Sequence, residues 1–205
     1  NKYHRRISVP RRKVSEVLFE QHKDILEPFM DALTQYGRIP GETELPEAAE
    51  IIAQLGSLNR AFRLVQKVTD EEPWAEIAQQ RKEDLLVYLA LSRFKKRPRI
   101  SQLPIGVQLD IKSFLGTYQD ACQQADELLF RAGDPNAINS ACERSTVGQL
   151  VDNALTVHES ALPYLEPLLR IYEGCARSLV GQIDEANLIK LHRFSGKVSY
   201  IAYPE

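Results

Sequence analysis

No stretch of this sequence approaches the roughly 18 consecutive apolar residues that cross a bilayer, and its polar, basic N-terminus does not read as a signal peptide. Cysteine is scarce: Cys122, Cys142 and Cys175 are odd in number, and none sits in a CxxC or other ligand spacing. They read as reduced, mostly buried thiols of a cytoplasmic protein. His4, His22, His158 and His192 show no metal-ligand spacing, so no metal site is expected. There is no Gly-rich phosphate loop, no GxSxG elbow, no HExxH helix and no glycine loop of a methyltransferase. His158 beside Glu159 is the nearest approach to acid–base chemistry, but neighbouring side chains diverge on a helix or strand. No catalytic residue is assigned.

The 205 residues suffice for one sizeable domain or two small ones, and 43% hydrophobic with 26% charged residues is ordinary for a globular chain. The opening residue is Asn1 rather than Met, which reads as a fragment of something longer. Net charge is −2, but the cations are clustered. Lys2, Arg5, Arg6, Arg11, Arg12 and Lys13 crowd an acid-free N-terminal stretch. Arg93, Lys95, Lys96, Arg97 and Arg99 form a second cluster, and Lys190, Arg193 and Lys197 a third. Acids gather at 42–50 and 70–72. Local patches, not the total, set the field that a polyanion meets.

The patterning predicts a mainly α protein: a multi-helix orthogonal bundle with a helix-turn-helix-like segment and a C-terminal two-stranded β-ribbon. Residues 1–13 read as a basic extended arm or edge strand, 14–70 as a helical subdomain, and 71–205 as a helical core closed by a hairpin at 186–204. Residues 14–36 form one long helix in this reading, kinked or divided by Pro28. The apolar run from Leu85 to Leu91 marks 74–94 as the central core helix. Its basic end, 93–99, reads either as a charge cap on the helix dipole or as a contact for an acidic partner. Residues 144–157 read as a loop with one helical turn. Beyond Asn187 the apolar period changes from helical to alternating, with Ser195-Gly196 as the hairpin turn.

The segment with the clearest functional pattern is 36–68. Pro46 opens one short helix, Gly56-Ser57 ends it and caps the next, and the second helix buries Leu58, Ala61, Phe62 and Val65. That leaves Asn59, Arg60, Arg63 and Lys67 outside, the arrangement of a basic reading helix. Gly37-Arg38-Ile39-Pro40 followed by Gly56-Ser57-Leu58-Asn59-Arg60-Ala61 resembles a short helix-turn-helix repeat of DNA-associated proteins, found near homing endonucleases. That repeat usually has Trp where Leu58 stands.

Longer runs carry a second resemblance. They are Asp84-Leu85-Leu86-Val87-Tyr88-Leu89-Ala90-Leu91, Ile111-Lys112-Ser113-Phe114 with Gly116 and Tyr118, and Leu168-Leu169-Arg170-Ile171-Tyr172-Glu173-Gly174-Cys175-Ala176-Arg177. Lys190-Leu191-His192-Arg193 and Lys197-Val198-Ser199-Tyr200-Ile201-Ala202-Tyr203-Pro204 complete the set. Together they resemble the C-terminal region of the bacterial DNA phosphorothioation-associated methyltransferase family. The resemblance implies an S-adenosylmethionine domain elsewhere, because the Asp-x-Gly-x-Gly cofactor loop is missing here, and a place in DNA modification and phage defence. Glu159 departs from the basic residue usual after His158, and the family usually continues past Pro204-Glu205 with a further tail.

Three functions stay open on this reading. The first is a DNA-binding accessory region, for DNA with or without phosphorothioate. Its contacts would come from Arg5, Arg6, Arg11, Arg12, Arg38, Asn59, Arg60, Arg63, Lys67, Lys95, Lys96, Arg97, Arg99, Lys190, His192, Arg193 and Lys197. The second is a scaffold docking to the methyltransferase domain or to a modification-complex protein. The third is a share in an active site, through the regions of His158 and His192. No cofactor is expected in this chain, and no membrane partner.

Overall fold

A computed structural model describes residues 14–69, 74–181, 183 and 186–203. The protein is mainly helical, with a small antiparallel sheet near the C-terminus. It divides into two compact units, Asn1–Ala78 and Gln79–Glu205. Among the described residues no helix is long and apolar enough to cross a membrane.

The first unit contains helices α1 (Val14–Gln21), α2 (Lys23–Tyr36), α3 (Ala48–Leu55) and α4 (Leu58–Val68), and the start of α5 (Trp74–Leu91). The expected single helix over 14–36 is divided, but at His22 and not at Pro28. The His22 N–H turns back to the Phe19 carbonyl at 3.1 Å, and His22 Nδ1 lies 2.6 Å from Gln54 Oε1 on α3. Pro28 stays inside α2, where its cost is the hydrogen bond it cannot donate. Gly37 ends α2 in the left-handed region, φ 64°, with its N–H on the Leu33 carbonyl at 2.8 Å. The core of this unit gathers Leu26, Phe29 and Leu33 of α2, Ile51 of α3, and Ala61 and Val65 of α4, all fully buried. Trp74 meets Phe62 edge to face at 5.7 Å.

The second unit comprises the rest of α5, then α6 (Ile105–Phe114), α7 (Tyr118–Arg131), α8 (Pro135–Arg144) and α9 (Pro167–Val180). Its strands are β1 (Gln149–Val151), β2 (Ala154–His158), β3 (Leu188–His192) and β4 (Val198–Ile201). Helix boundaries follow local chemistry. Thr117 caps α7 reciprocally with Asp120, and the Asp134 carboxylate accepts from the Asn136 N–H ahead of α8. Leu85, Leu86, Leu89 and Ala90 of α5 are buried in the core with Leu169 and Ile171 of α9.

The predicted ribbon is present as β3–β4, but it is half of a four-stranded antiparallel sheet in the order β1-β2-β3-β4. Residues 144–157 are thus not a loop with a helical turn. They supply a second hairpin, closed by Asp152 and Asn153 with Asp152 at φ 50°. Its pairing with β3 solves the ribbon's problem, since an isolated two-stranded ribbon is marginally stable. Leu155, Val157, Ile189 and Leu191 face the core. The row Gln149, Thr156, Lys190, Ser199 lies on the opposite face. The basic arm or edge strand read at residues 1–13 lies outside the described residues.

Candidate nucleic-acid interface

Helix α4 is preceded by a turn that only glycine fills without strain. Gly56 follows α3 at φ 87°. Ser57 then runs extended, and its Oγ accepts the Arg60 N–H at 3.2 Å, capping α4. Ala61, Leu64 and Val65 are buried, which turns Asn59, Arg60, Arg63 and Lys67 outward. Helix α4 contains no acidic residue. Arg60, Arg63 and Lys67 line one open groove of about 480 Å³, whose other wall is Val14, Ser15 and Leu18 of α1. Among the described residues, none of these three cations makes an ion pair or side-chain hydrogen bond. The α1 wall was not among the sequence-predicted site residues, and its helical periodicity was the available signal.

Other predicted contacts are occupied by the protein itself. Arg38 is buried and grips Glu44 with both terminal nitrogens, at 2.6 and 2.8 Å, while the Gly41 N–H donates to the same carboxylate. It belongs to the loop between α2 and α3 and is withdrawn from the interface. Arg97 folds back on α5: Nε and Nη2 donate to the Leu89 carbonyl at 3.0 and 2.9 Å, and Nη2 pairs with Asp126 at 2.5 Å. That is a helix C-terminal cap, the first of the two readings given to this run. Lys95, Lys96 and Arg99 remain exposed.

Arg193 is also spent internally. Its Nε donates to Asn139 Oδ1 at 2.6 Å, Nη1 to the Asp152 carbonyl at 3.1 Å, and Nη2 to Glu143 Oε1 at 2.6 Å. Lys197 is exposed, and Lys190 and His192 stand half-exposed on the outer sheet face, with His192 Nε2 at 3.0 Å from Ser199 Oγ. Arg5, Arg6, Arg11 and Arg12 lie outside the described residues. Within the second unit, the second and third basic clusters are neighbours, since Phe94, Arg193 and Gly196 line one cavity.

The described histidines, His22, His158 and His192, each meet a nearby polar side chain. His158 caps the 3-10 helix Glu159–Tyr164, with Nδ1 accepting the Ser160 N–H at 3.2 Å and 2.8 Å from Ser160 Oγ. Glu173 is buried, held by Arg177 one helical turn on at 2.7 Å and by the Tyr200 hydroxyl at 3.1 Å. Burial pushes the Cys142 thiol up to about 11 and the Tyr172 phenol up to about 12, so both are neutral at physiological pH. Among the described residues no group of His, Cys, Asp and Glu is placed to hold a metal ion.

His192 is held below its ordinary value of 6.5, first by burial and then by the charges of Lys197 and Lys190. The folded chain therefore resists protonation where the unfolded chain accepts it. Stability from this group is complete above its unfolded value and is lost as pH falls through the folded one. Urea midpoints should drop as pH falls below the ordinary histidine value of 6.5, and His192→Gln should flatten that part of the profile. A His192 ring titrating at or above its ordinary value by NMR would contradict the assignment.

The chain matches no known family model, no curated protein and no solved structure.

Proposed function

We propose that this chain is a DNA-binding accessory region, in which α4 of the first unit is laid against a duplex. The observation that carries the reading is the exposed, acid-free face of α4, where Arg60, Arg63 and Lys67 share one groove and are left unpaired by the described residues. Cations kept free at the surface, beside others consumed in caps and clasps, are what a polyanion site requires. Asn59 at the first turn and Arg60 beside it are the side chains nearest the capped end, from which a helix in the major groove reads base edges. The sequence resemblance to the phosphorothioation-associated methyltransferase family supports a place in bacterial DNA modification and phage defence, in the cytoplasm. In that setting an S-adenosylmethionine domain elsewhere would perform the transfer while this region holds the substrate.

The test is fluorescence anisotropy of labelled duplex DNA, with and without phosphorothioate, over a salt series. The double variant Arg60→Ala/Arg63→Ala should weaken binding at low salt and make the slope of log K against log salt shallower by about 2. Both positions are exposed and unpaired by described residues, so thermal unfolding should hardly move. An unchanged slope, or no binding of any duplex at low salt, would remove the reading. A tighter complex with the sulfurated duplex would extend it to recognition of the mark.

A further inference from the structure

The second unit carries an apolar groove of about 470 Å³ whose chemistry differs from that of the α4 face. Leu129 of α7, Ile138 of α8, and Cys175, Leu179 and Val180 of α9 line it, with Phe94 at one margin. Several of these side chains are not satisfied by the fold: Leu179 is 82% exposed, Val180 64% and Phe94 47%. Phe130 and Phe194, next in sequence to lining residues, are exposed as well, at 77% and 54%. Scattered exposed apolar residues are ordinary, but a contiguous set around a concavity marks an interaction site.

The rim specifies the partner's charge. The lining residues are flanked in sequence by Lys95, Arg131 and Lys197, exposed and in no ion pair among the described residues, by Arg93, which lies 3.8 Å from Asp126, and by a single exposed acid, Asp134. The Asp134 carboxylate is already engaged with the Asn136 N–H at 3.0 Å. Glu173, also adjacent, is buried and paired with Arg177. Backbone pairing is not offered, because only the β3–β4 turn, through Arg193 and Gly196, reaches the groove, and no strand edge does. Recognition must therefore run through side chains seated between helices.

We propose that this groove docks an amphipathic helix of a partner protein, apolar on the buried face and acidic on its flanks. Apolar anchors at helical spacing would fill the space above Leu129, Ile138 and Leu179, and carboxylates would meet the surrounding lysines and arginines.

The probe is a labelled designed peptide with leucines at i, i+3, i+4 and i+7 and glutamates on the remaining face, compared with its lysine counterpart. The 205-residue chain should bind the glutamate peptide, and the lysine peptide at least about tenfold more weakly. Leu179→Asp should weaken the glutamate peptide by about tenfold or more. Because Leu179 is exposed, that variant should keep the parent's far-UV spectrum and thermal midpoint. Equal binding of both peptides, binding of neither, or an unchanged affinity in Leu179→Asp would overturn the proposal. Sedimentation velocity of the chain alone covers the remaining occupant. A dimer abolished by Leu179→Asp, with no peptide binding, would assign the groove to a second copy and likewise overturn the partner helix.

Discussion

Replacing Gly37 by alanine should lower the unfolding free energy of the first unit by about 3 kcal/mol. Two costs add. At φ 64° a side chain is strained by about 1–2 kcal/mol whatever surrounds it. The new methyl would also stand 2.4 Å from the Ala78 nitrogen and 2.6 Å from its Cα, and a helical backbone cannot swing aside as a side-chain tip can. Gly196 supplies the control. It has nearly the same φ, 65°, in the β3–β4 turn, but nothing lies within 4 Å of the position its Cβ would take. Gly196→Ala should therefore cost only the conformational share, about 1 kcal/mol. Urea unfolding of the two variants separates the terms, and if the units melt in distinct transitions each variant should move its own. Equal losses would mean that the close approach of Gly37 to Ala78 does not exist.

Arg193→Met should cost about 2–3 kcal/mol in the second unit while leaving the salt slope of DNA binding unchanged. The guanidinium ties together α8, the β1–β2 turn and the β3–β4 turn through Asn139, Asp152 and Glu143, and only 14% of the side chain is exposed. Removing it leaves the half-buried Asn139 oxygen without its donor, while the exposed Asp152 carbonyl can return to water. Glu143 is half-exposed and can return to water, which keeps the loss at the lower end for a broken pair. Arg193→Lys should recover little, because an ammonium cannot reproduce a fork aimed at three acceptors. A variant that keeps its stability but loses a unit of salt slope would return Arg193 to the list of phosphate contacts.

These two residues mark the boundary of what the sequence discloses. Features decided within a few residues were legible: the Gly56-Ser57 junction and the outward face of α4 both follow from local chemistry. Charge partners were not. Arg38, Arg97 and Arg193 look like Arg60 and Arg63 in a linear chain, and only folding brings Glu44, the Leu89 carbonyl and Glu143 to them. The β1–β2 hairpin escaped because β1 is exposed at all three residues and so has no alternation, although Asp152-Asn153 between Leu150-Val151 and Leu155-Thr156-Val157 is a turn signal. The division at His22 was hidden by the louder signal of Pro28.

The order of the sheet also bears on how it comes together in time. Each hairpin closes over a short turn, an event of roughly microseconds. The seam between them, Ala154–His158 against Leu188–His192, spans residues 159–187, with α9 inside the loop. Closing that loop costs chain entropy before any strand contact repays it. Helix α9 helps to fix the far side, since the Tyr172 hydroxyl reaches the carbonyls of His192 and Lys197 at 2.9 and 3.1 Å. The slow, non-local event in this sheet is therefore the meeting of two ready-made hairpins, and it waits on the docking of a helix rather than on the formation of a strand.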